Sequence, residues 1–544
     1  MSISFRALLA RFVARVRALP APSTAKLCML LFAAFVVIFH VNRTVVEEGD
    51  AIANIDLPLS LLSRGTLSFD PEYFPELFKW KSKAPLIVSE EFFVRRWHHR
   101  LGDKTMRDWK EQGNLKFNGP RYNVIESKRR NTYVSTFGPI PGLTLVPLNA
   151  LLLQLDPEFG KNPLLVLTAA KLHASLLVAA TVVLVFLMVL SFTRRGPALL
   201  LAAAYGLGTC AWSIASQNIW QQTVNTLFLC LGVTFFLRVP QRAANAALAG
   251  LALGAAMACR ATSAIILVSV VLYLVRYHRK ASLYFALGMV PVPAAIGFYN
   301  WYYFGSPISF GQEVAGHIMA MEKTGSPQLW QTPLLQGALG LLVSPSRGLL
   351  IFSPFLALSG LGIVRIWRDL RYHLLRPLTV AALIVMIMQC KWFDWWGGWT
   401  YGYRPWLDMI PFLVLFLVPV LESIWVTKLR QGLFYTAVAW SCFVQLIGAF
   451  AYDKTWNDRQ VFVVEIPESR PLLRFSEANA IETARTRGGK YVGPVWCNID
   501  WRDCRRRLWS HEDSIIAYYI SDFGTARKRR YESAWGDLAV FRSF

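Results

Sequence analysis

The sequence predicts an all-α membrane protein with about 11 to 13 transmembrane helices, and three observations lead to this fold class. Hydrophobic residues make up 54% of the 544 residues, whereas soluble proteins contain about 45–50%. Apolar runs long enough to cross a bilayer as helices recur along the chain, for example at 164–192, 281–304 and 406–426. Many of the basic residues lie in the connections between such runs, as expected beside transmembrane helices.

The N-terminal region predicts a cytoplasmic amphipathic segment at 1–26, followed by a first transmembrane helix at 27–41. Between Phe5 and Leu19, apolar residues alternate with arginines at helical spacing, which suits a helix lying on the membrane surface. The first apolar run lacks a small-residue cleavage site, and polar residues follow directly at Asn42. We therefore interpret it as a signal anchor rather than a cleaved signal peptide.

The remaining elements follow when the apolar runs alternate across the membrane from a cytoplasmic N-terminus. They are a long outer loop with interfacial helices at 42–163, a transmembrane helix bundle at 164–451 and a small outer C-terminal domain at 452–544. The connections placed inside carry many of the arginines and lysines, whereas the short outer connections carry few. This distribution agrees with the positive-inside rule.

The segment 138–155 is the least regular part of this arrangement. Roughly eleven crossings result if it is a half-inserted or interfacial element. If it crosses the membrane instead, one of the short apolar runs at 243–258 and 261–275 does not cross.

Composition and motif spacing exclude several function classes. The formal charge of +23 is explained by topology signals and contacts with anionic lipids, so a nucleic-acid partner is not expected. The sequence contains no Gly-rich phosphate cradle, nucleophile elbow or zinc-protease helix. His98 and His99 are adjacent and have no neighbours at metal-ligand spacing. We therefore expect neither a metal nor a cofactor.

An acidic cluster follows the first predicted span at Glu47, Glu48 and Asp50. At this depth a carboxylate can reach water and still face a substrate held in the membrane, which suits a general base for a hydroxyl nucleophile. Asp56 and Asp70 of the same loop are weaker alternatives, and a solvated acidic loop without a catalytic role would have the same sequence.

The run 391–404 combines many aromatic residues with Gly397, Gly398 and an arginine at Arg404. Aromatic planes such as Trp396 and Tyr401 stack on sugar rings, and a guanidinium can hold a phosphate through two hydrogen bonds. An interfacial aromatic belt also explains the tryptophans and tyrosines, but it does not explain the glycines or the arginine.

Further cations lie at or inside predicted spans. Arg347 precedes a long apolar run at headgroup depth, where it would bind a lipid phosphate or snorkel to the interface. Lys171 and His173 fall inside the run that begins at residue 164, and Arg260 lies between two short runs. Such groups are costly in a membrane unless they face a cavity, a partner or the interface.

The two polar parts outside the membrane carry their own signals. The basic loop 79–130 suits docking on anionic polymers or lipid headgroups, or is a solvated loop. In the tail, Cys497 and Cys504 lie in polar sequence, and they could form a small disulfide loop if the tail is in an oxidising compartment.

The order of the motifs along the whole chain is informative. The motifs are Gly49-Asp50, Leu57-Pro58 with Gly65, Phe137 to Gly142, Ser216-Gln217, Trp220-Gln221, Cys259-Arg260, Tyr299-Asn300, Phe304 to Pro307, Ser344 to Gly348, Ser353-Pro354, Trp395 to Gly398 and Tyr401-Gly402. This order resembles that of bacterial polytopic glycosyltransferases of the GT-C type, distant relatives of the protein O-mannosyltransferases and of the transferase that adds aminoarabinose to lipid A.

The resemblance implies a GT-C-like fold in the bacterial inner membrane, with both the first loop and the C-terminal domain periplasmic. It implies transfer of a sugar from a polyprenyl-phosphate donor to an envelope glycan, lipid or protein, with inversion at the anomeric carbon. Asp50 matches the family's acidic base. The expected substrate-binding residues are Arg347, Arg404, Arg260, Trp396, Tyr401, Gln221, Lys171 and His173. Gln222 departs from the pattern, because a histidine is expected after Trp-Gln.

Two other functions remain open at the level of sequence. One is a transporter or flippase of lipid-linked sugars, which should place polar residues near the middle of the membrane. The other is a polymerase or ligase of envelope polysaccharide that uses a diphosphate-linked donor.

Overall fold

The computed structural model describes residues 23–45, 49–82, 115–467, 472–474 and 477–535. Most of the predicted amphipathic segment, the acidic residues Glu47 and Glu48, and the part of the basic loop with His98 and His99 lie outside the described residues.

The chain is mostly helical. The α-helices of the first half are α1 (Thr24–His40), α2 (Gly49–Arg64), α3 (Ile140–Leu143), α4 (Val146–Leu155), α5 (Pro163–Leu190), α6 (Arg195–Gly208), α7 (Cys210–Ser213), α8 (Gln221–Phe236), α9 (Asn245–Cys259), α10 (Ala264–Tyr277), α11 (Arg279–Met289) and α12 (Pro291–Phe304). Those of the second half are α13 (Gly311–Thr324), α14 (Leu334–Val343), α15 (Leu349–Phe352), α16 (Leu358–Arg368), α17 (Arg376–Lys391), α18 (Ile410–Leu415), α19 (Leu421–Ile424), α20 (Lys428–Ala451), α21 (Glu477–Thr486), α22 (Ile515–Ser521) and α23 (Phe523–Trp535).

Within the described part of the chain, four helices are long and apolar enough to cross a membrane, and the number rises to six if each of two bent pairs is one span. The four are Pro163–Leu190, Arg279–Phe304, Leu370–Lys391 and Lys428–Ala451. Shorter apolar helices accompany them, among them α1 and α9. The chain is thus built as a multi-pass membrane protein, and the count of about 11 to 13 spans stays a prediction.

Local sequence explains where these helices begin and bend. Asn162 caps α5, because its side chain accepts from the backbone N–H groups of Leu164 and Leu165 ahead of a proline-led first turn. At Thr209 the backbone becomes extended, and the next helical segment continues at an angle of 45°. The apolar run 406–426 is also broken, by 40°, near Pro419.

Small residues let the helices of the bundle approach closely. At Gly250 and Gly288 an added Cβ would strike the backbone of the opposing helix, so α9 and α11 pack backbone to backbone. This is the packing that small residues provide between membrane helices, where burial of apolar surface alone gives little association energy.

The described parts of the loop 42–163 pack against the bundle. Its segment 138–155 contains the ten-residue helix α4, whose length of about 15 Å is half of a hydrocarbon core of about 30 Å. The strands of the loop are β1 (Ser68–Phe69), β2 (Phe78–Ser82), β3 (Leu115–Pro120), β4 (Val124–Ser127) and β5 (Thr132–Ser135). They form an antiparallel sheet in the order β1-β5-β4 and a separate two-stranded antiparallel sheet, β2-β3.

The C-terminal region is fastened to the bundle. Strands β6 (Asp458–Glu465), β7 (Leu472–Arg474) and β8 (Lys490–Asn498) form an antiparallel sheet in the order β7-β6-β8. Ser344 Oγ donates to the carbonyl of Leu508 over 2.5 Å, and the N–H of Ile515 donates to Ser346 over 3.1 Å. These bonds place the tail against the turn that precedes α15.

Candidate active site

A cavity of about 280 Å³ lies where the outer loop, the connections of the bundle and the run 391–404 meet. The described residues that line it are Asp50, Phe137, Gln221, Gln222, Arg260, Ala261, Thr262, Phe310, Gln312, Glu313, Leu329, Trp330, Gln389, Trp392, Asp394, Gly397, Arg404 and Pro405. They stand at helix ends or in connections rather than in the middle of helices. The cavity therefore belongs to one end of the bundle.

The first turns of α2, α8 and α13 all contribute to this lining. Asp50 lies in the first turn of α2, Gln221 begins α8, and Glu313 lies in the first turn of α13. The N-terminal end of a helix carries a partial positive charge and unpaired N–H groups, so these three ends favour an anionic group in the cavity.

Asp50 is held by two groups from distant parts of the chain. Arg404 Nη1 donates to its Oδ2 over 2.6 Å, and the Tyr122 hydroxyl donates to its Oδ1 over 2.8 Å. A quarter of the Asp50 side chain remains exposed. Burial alone would raise the pKa of Asp50, but Arg404 and Tyr122 outweigh burial and hold the pKa below its ordinary value. The carboxylate is therefore ionised at neutral pH.

Gly49, the residue before Asp50, leaves space for the side chain of Tyr122. Tyr122 lies in the turn between β3 and β4, and the neighbouring Asn123 side chain donates to the carbonyl of Gly49 over 3.2 Å. A Cβ at Gly49 would strike the Tyr122 hydroxyl. The Gly-Asp sequence thus makes room for the hydrogen bond that holds Asp50.

Arg404 is fixed on three sides. Besides its ion pair with Asp50, its Nη2 donates to the carbonyl of Gly397 over 2.9 Å, and its guanidinium lies 4.5 Å from the centre of the Trp220 ring. Gly397 and Gly398 have φ angles of 76° and 64°, in the left-handed region that favours glycine. These two residues therefore form the turn that brings a carbonyl to the arginine.

A second guanidinium reaches the cavity from the end of α9. Arg260 Nη1 donates to Asp408 Oδ2 over 2.7 Å, and both side chains are almost completely buried. Thr226 donates to the other oxygen of Asp408 over 3.1 Å. The cavity wall therefore contains two arginines whose positions are set by carboxylates.

Gln221 joins three segments of the wall. Its amide nitrogen lies 2.5 Å from the carbonyl of Cys259, 3.2 Å from that of Phe137 and 3.3 Å from the side-chain oxygen of Gln312. Gln221 therefore fixes the relative positions of the ends of α8, α9 and α13.

A lysine behind the wall bridges two further carboxylates. Lys323 Nζ donates to Asp394 over 2.8 Å and to Asp500 of the tail over 2.9 Å. Burial alone would lower the pKa of Lys323, but the two carboxylates outweigh burial and hold the pKa above its ordinary value. The lysine is charged throughout the neutral range.

Part of the wall presents amides and aromatic rings. Trp330 and Trp392 pack edge to face with ring centres 4.9 Å apart. Gln222 and Gln389 line the cavity, and among the described residues neither side chain has a hydrogen-bond partner. Free amide groups next to aromatic rings can hydrogen-bond hydroxyls and pack against a sugar ring.

Arg347, which we expected to bind phosphate, is not among the described residues that line the cavity. It is completely buried, and its guanidinium donates to the carbonyls of Trp396, Ser346 and Gly398 and to the side chain of Asn457 over 2.9–3.2 Å. Because carbonyls already occupy its donors, Arg347 supports the turn at Gly398 from behind.

Lys171 and His173 are also placed away from the cavity. Lys171 is buried and donates to the side chain of Asn42, to the carbonyl of Thr44 and to Gln217. His173 Nε2 lies 3.1 Å from the hydroxyl of Thr144. Because their partners are protein groups, these residues connect the C-terminal end of α1 and the residue after α3 to α5. Neither residue is among those that line the cavity.

Trp396 and Tyr401 are buried behind the cavity rather than exposed to a substrate. Trp396 Nε1 donates to Asp500 over 3.1 Å, and the Tyr401 hydroxyl donates to the carbonyl of Val444 over 2.9 Å. Of the aromatic residues in the run 391–404, only Trp392 is among the described cavity residues.

The tail contains a disulfide between Cys497 and Cys504, seven residues apart. The other six cysteines are free and buried or half-buried. Among the described residues, no group of three or more His, Cys, Asp or Glu side chains could hold a metal ion.

Several of the residues that shape the site carry no recognisable signal in the sequence. Tyr122, Asp408 and Lys323 act through partners that are 71 to 182 positions away along the chain. An isolated tyrosine in a turn or a lysine at a helix end looks like any surface residue. Gln312 and Glu313 follow Phe310 at the start of α13, and only the helix start itself is visible in the sequence.

Comparison with known proteins finds a distant structural similarity. No protein-family model and no curated protein sequence matches the chain. Among solved structures, it is similar to a crystal structure of ArnT from Cupriavidus metallidurans bound to undecaprenyl phosphate. The TM-score is 0.42 and the identity 11%, over 80% of this chain and 68% of that chain. At this distance the similarity assigns no role to any residue, and the function is inferred from the cavity.

Proposed function

We propose that the protein is a membrane glycosyltransferase that moves a sugar from a polyprenyl-phosphate donor to an envelope hydroxyl on the periplasmic face, with inversion. The observation that carries this proposal is the meeting of Asp50, Arg404 and Arg260 in one cavity at the end of the bundle. A carboxylate and two guanidiniums are the groups needed to accept a proton and to hold a phosphate leaving group.

In the proposed step, an acceptor hydroxyl oxygen forms a bond to the anomeric carbon while the bond from that carbon to the phosphate oxygen breaks. The electron pair of the broken bond goes to the polyprenyl phosphate, and the hydroxyl proton goes to Asp50. Arg404 and Arg260 balance the charge that develops on the phosphate, together with the positive ends of three helices.

The ion pair with Arg404 couples donor binding to the strength of the base. In the free protein, Arg404 lowers the pKa of Asp50 and makes it a weak base. A donor phosphate that binds Arg404 competes for the same guanidinium and weakens its hold on Asp50. The pKa of Asp50 then rises, so the carboxylate becomes a better base when the donor is present.

The amide and aromatic part of the wall supports a sugar as the transferred group. Gln222 and Gln389 are available as donors and acceptors for hydroxyls, and Trp330 and Trp392 offer aromatic surface beside them. These features do not select one sugar, and the acceptor class is likewise open.

The position of the cavity favours a transferase over a transporter. A transporter binds its substrate near the middle of the membrane, between helices that alternately open to each side. The residues of this cavity instead stand at helix ends and in connections.

The test is to incubate the purified protein with polyprenyl-phosphate sugars that carry a labelled sugar, together with an envelope fraction as acceptor. The proposal expects label on an envelope component and an equal amount of polyprenyl monophosphate. A donor that is bound or moved across a bilayer but never cleaved would identify a transporter. Cleavage of a diphosphate-linked donor only would identify a polymerase or ligase.

A further inference from the structure

A single lysine connects the tail of the chain with the wall of the cavity. Lys323, at the end of α13, donates to Asp394 in the cavity wall and to Asp500 in the tail. The Lys323 side chain is 18% exposed, and the two carboxylates are 11% and 25% exposed. A bridge that is this buried is screened less by salt than a surface ion pair.

The bridge continues through hydrogen bonds to the candidate base. Asp394 accepts from the N–H of Gly398 through its side chain, over 3.1 Å, and from the N–H of Gly397 through its backbone carbonyl, over 3.0 Å. The carbonyl of Gly397 then accepts from Arg404, which holds Asp50. The position of Asp394 thus sets the turn that positions Arg404.

The tail side of the bridge is built to hold Asp500 in place. Asp500 lies inside the short loop that the Cys497–Cys504 disulfide closes. Its side chain also accepts from Trp396 over 3.1 Å. Arg505 donates to the backbone carbonyls of both Asp500 and Lys323, over 3.0 and 2.6 Å, and its guanidinium lies 4.3 Å from the centre of the Trp396 ring.

The charge of Lys323 matters because the cavity contains three carboxylates. Without the lysine, the carboxylate of Asp394 would lose its ion-pair partner in a wall that already contains Asp50 and Glu313. Asp394 and Arg404 interact electrostatically, so a freed Asp394 would compete with Asp50 for that guanidinium. The extra negative charge would also repel a phosphate.

We propose that Lys323 is a positioning residue for the donor site, and that the tail holds it there through Asp500. Lys323 neutralises Asp394 and fixes the Gly397–Gly398 turn, which leaves Arg404 available to the donor phosphate. This inference rests on the proposed function, because it concerns the affinity of the same cavity for a polyprenyl phosphate.

The experiment measures binding of undecaprenyl phosphate to the full chain in detergent, with undecaprenol as the ligand that lacks phosphate. K323M should weaken binding roughly 10- to 100-fold, since it leaves a partly buried carboxylate unpaired next to the anion site. Adding D394N should restore most of the affinity, because the asparagine is uncharged and its side-chain oxygen still accepts from Gly398. A purely structural loss would weaken the binding of undecaprenol as well.

The matched control is R529Q. Arg529 forms ion pairs within the tail, with Asp453 and Asp522 over 2.7 and 2.6 Å, and it is not among the described cavity residues. R529Q should therefore leave the affinity for undecaprenyl phosphate unchanged, even where it lowers the melting temperature.

The outcomes separate the inference from the function on which it rests. If the unaltered protein binds undecaprenyl phosphate and K323M binds it equally well, or if D394N does not rescue K323M, the role of Lys323 is wrong. If the unaltered protein binds undecaprenyl phosphate no better than undecaprenol, the proposed function fails. The bridge is then still judged by melting temperature, where D394N should recover the loss caused by K323M.

Discussion

Single side chains decide how basic Asp50 is. Arg404 and Tyr122 both favour its ionised form, so the folded protein holds the pKa of Asp50 below that of an unfolded chain. The sign of the pH dependence follows from this. Asp50 contributes stability at pH values above the ordinary carboxyl range, and the contribution is lost as the pH falls through the lowered pKa of the folded state.

Replacing Tyr122 by Phe tests this argument without touching the ion pair. The variant loses the hydrogen bond from the hydroxyl to Asp50 Oδ1, so the pKa of Asp50 should rise towards its ordinary value. The acidic limb of the pH profile of sugar transfer should move to higher pH, while the maximal rate falls less than tenfold. An unchanged limb would show that Tyr122 does not contribute to the ionisation of Asp50.

A second prediction at the scale of single residues concerns Gly49. In G49A the new methyl group strikes the Tyr122 hydroxyl, and overpacking of this kind costs about 1–3 kcal/mol. The cost should be much smaller when G49A is placed in the Y122F background, where the hydroxyl is absent. Thermal unfolding of the two single variants and the double variant measures the coupling, and additive losses would contradict the close approach.

At the scale of elements, the Gly397–Gly398 turn is the part of the run 391–404 on which the site depends. The N–H of Gly398 donates to the side chain of Asp394, and the carbonyl of Gly398 accepts from Arg347. The carbonyl of Gly397 accepts from Arg404. The position of Arg404 therefore depends, through this turn, on the buried groups Asp394 and Arg347.

Substitution of Gly398 by Ala isolates the backbone of this turn. An added Cβ meets nothing closer than 3.6 Å, so the cost comes from the φ angle of 64° alone, at about 1–2 kcal/mol. Affinity for a polyprenyl phosphate should fall with stability, because the turn holds Arg404. G432A is the control, since Gly432 lies inside α20 with open space around it and alanine favours a helix. Equal effects of both variants would remove the special role of the turn.

The sequence predicts the helices of this protein better than it predicts the contacts of individual side chains. The apolar run at 164–192 coincides with α5, and the two candidate site residues Asp50 and Arg404 lie 2.6 Å apart in the structure. The same reasoning placed Arg347 and Lys171 at a substrate site. Sequence alone does not distinguish a cation that faces a cavity from one surrounded by carbonyls, because that difference depends on how distant segments pack.

At the scale of the whole molecule, the tail packs behind the cavity wall and holds residues that support it. Asp500 reaches Lys323, and Asn457 reaches Arg347, so the tail contacts both sides of the turn that supports Arg404. Two polar parts that are far apart in sequence, the first loop and the tail, thus converge on one end of the bundle.

Removal of the disulfide by C497S and C504S tests this integration. The bond closes a short loop, so its loss should cost about 2 kcal/mol and lower the melting temperature. Because the loop carries Asp500, affinity for a polyprenyl phosphate should fall as well.

In the unaltered protein, Cys497 and Cys504 should resist alkylation until a reductant is added, as expected for a tail in an oxidising compartment. Free alkylation without reductant would contradict the outer position of the tail.

The central claim is that Asp50 is the base of a sugar transfer, and comparing D50N with D70N tests it most directly. Asp70 lies in the same loop and is more exposed; it forms a weak surface pair with Arg64 at 3.4 Å and accepts from the N–H of Glu72 over 2.8 Å. With a labelled polyprenyl-phosphate sugar, D50N should transfer about 10²- to 10⁴-fold more slowly, while D70N should match the unaltered protein. Full activity in D50N, with normal donor binding, would contradict the assignment of Asp50 as the base.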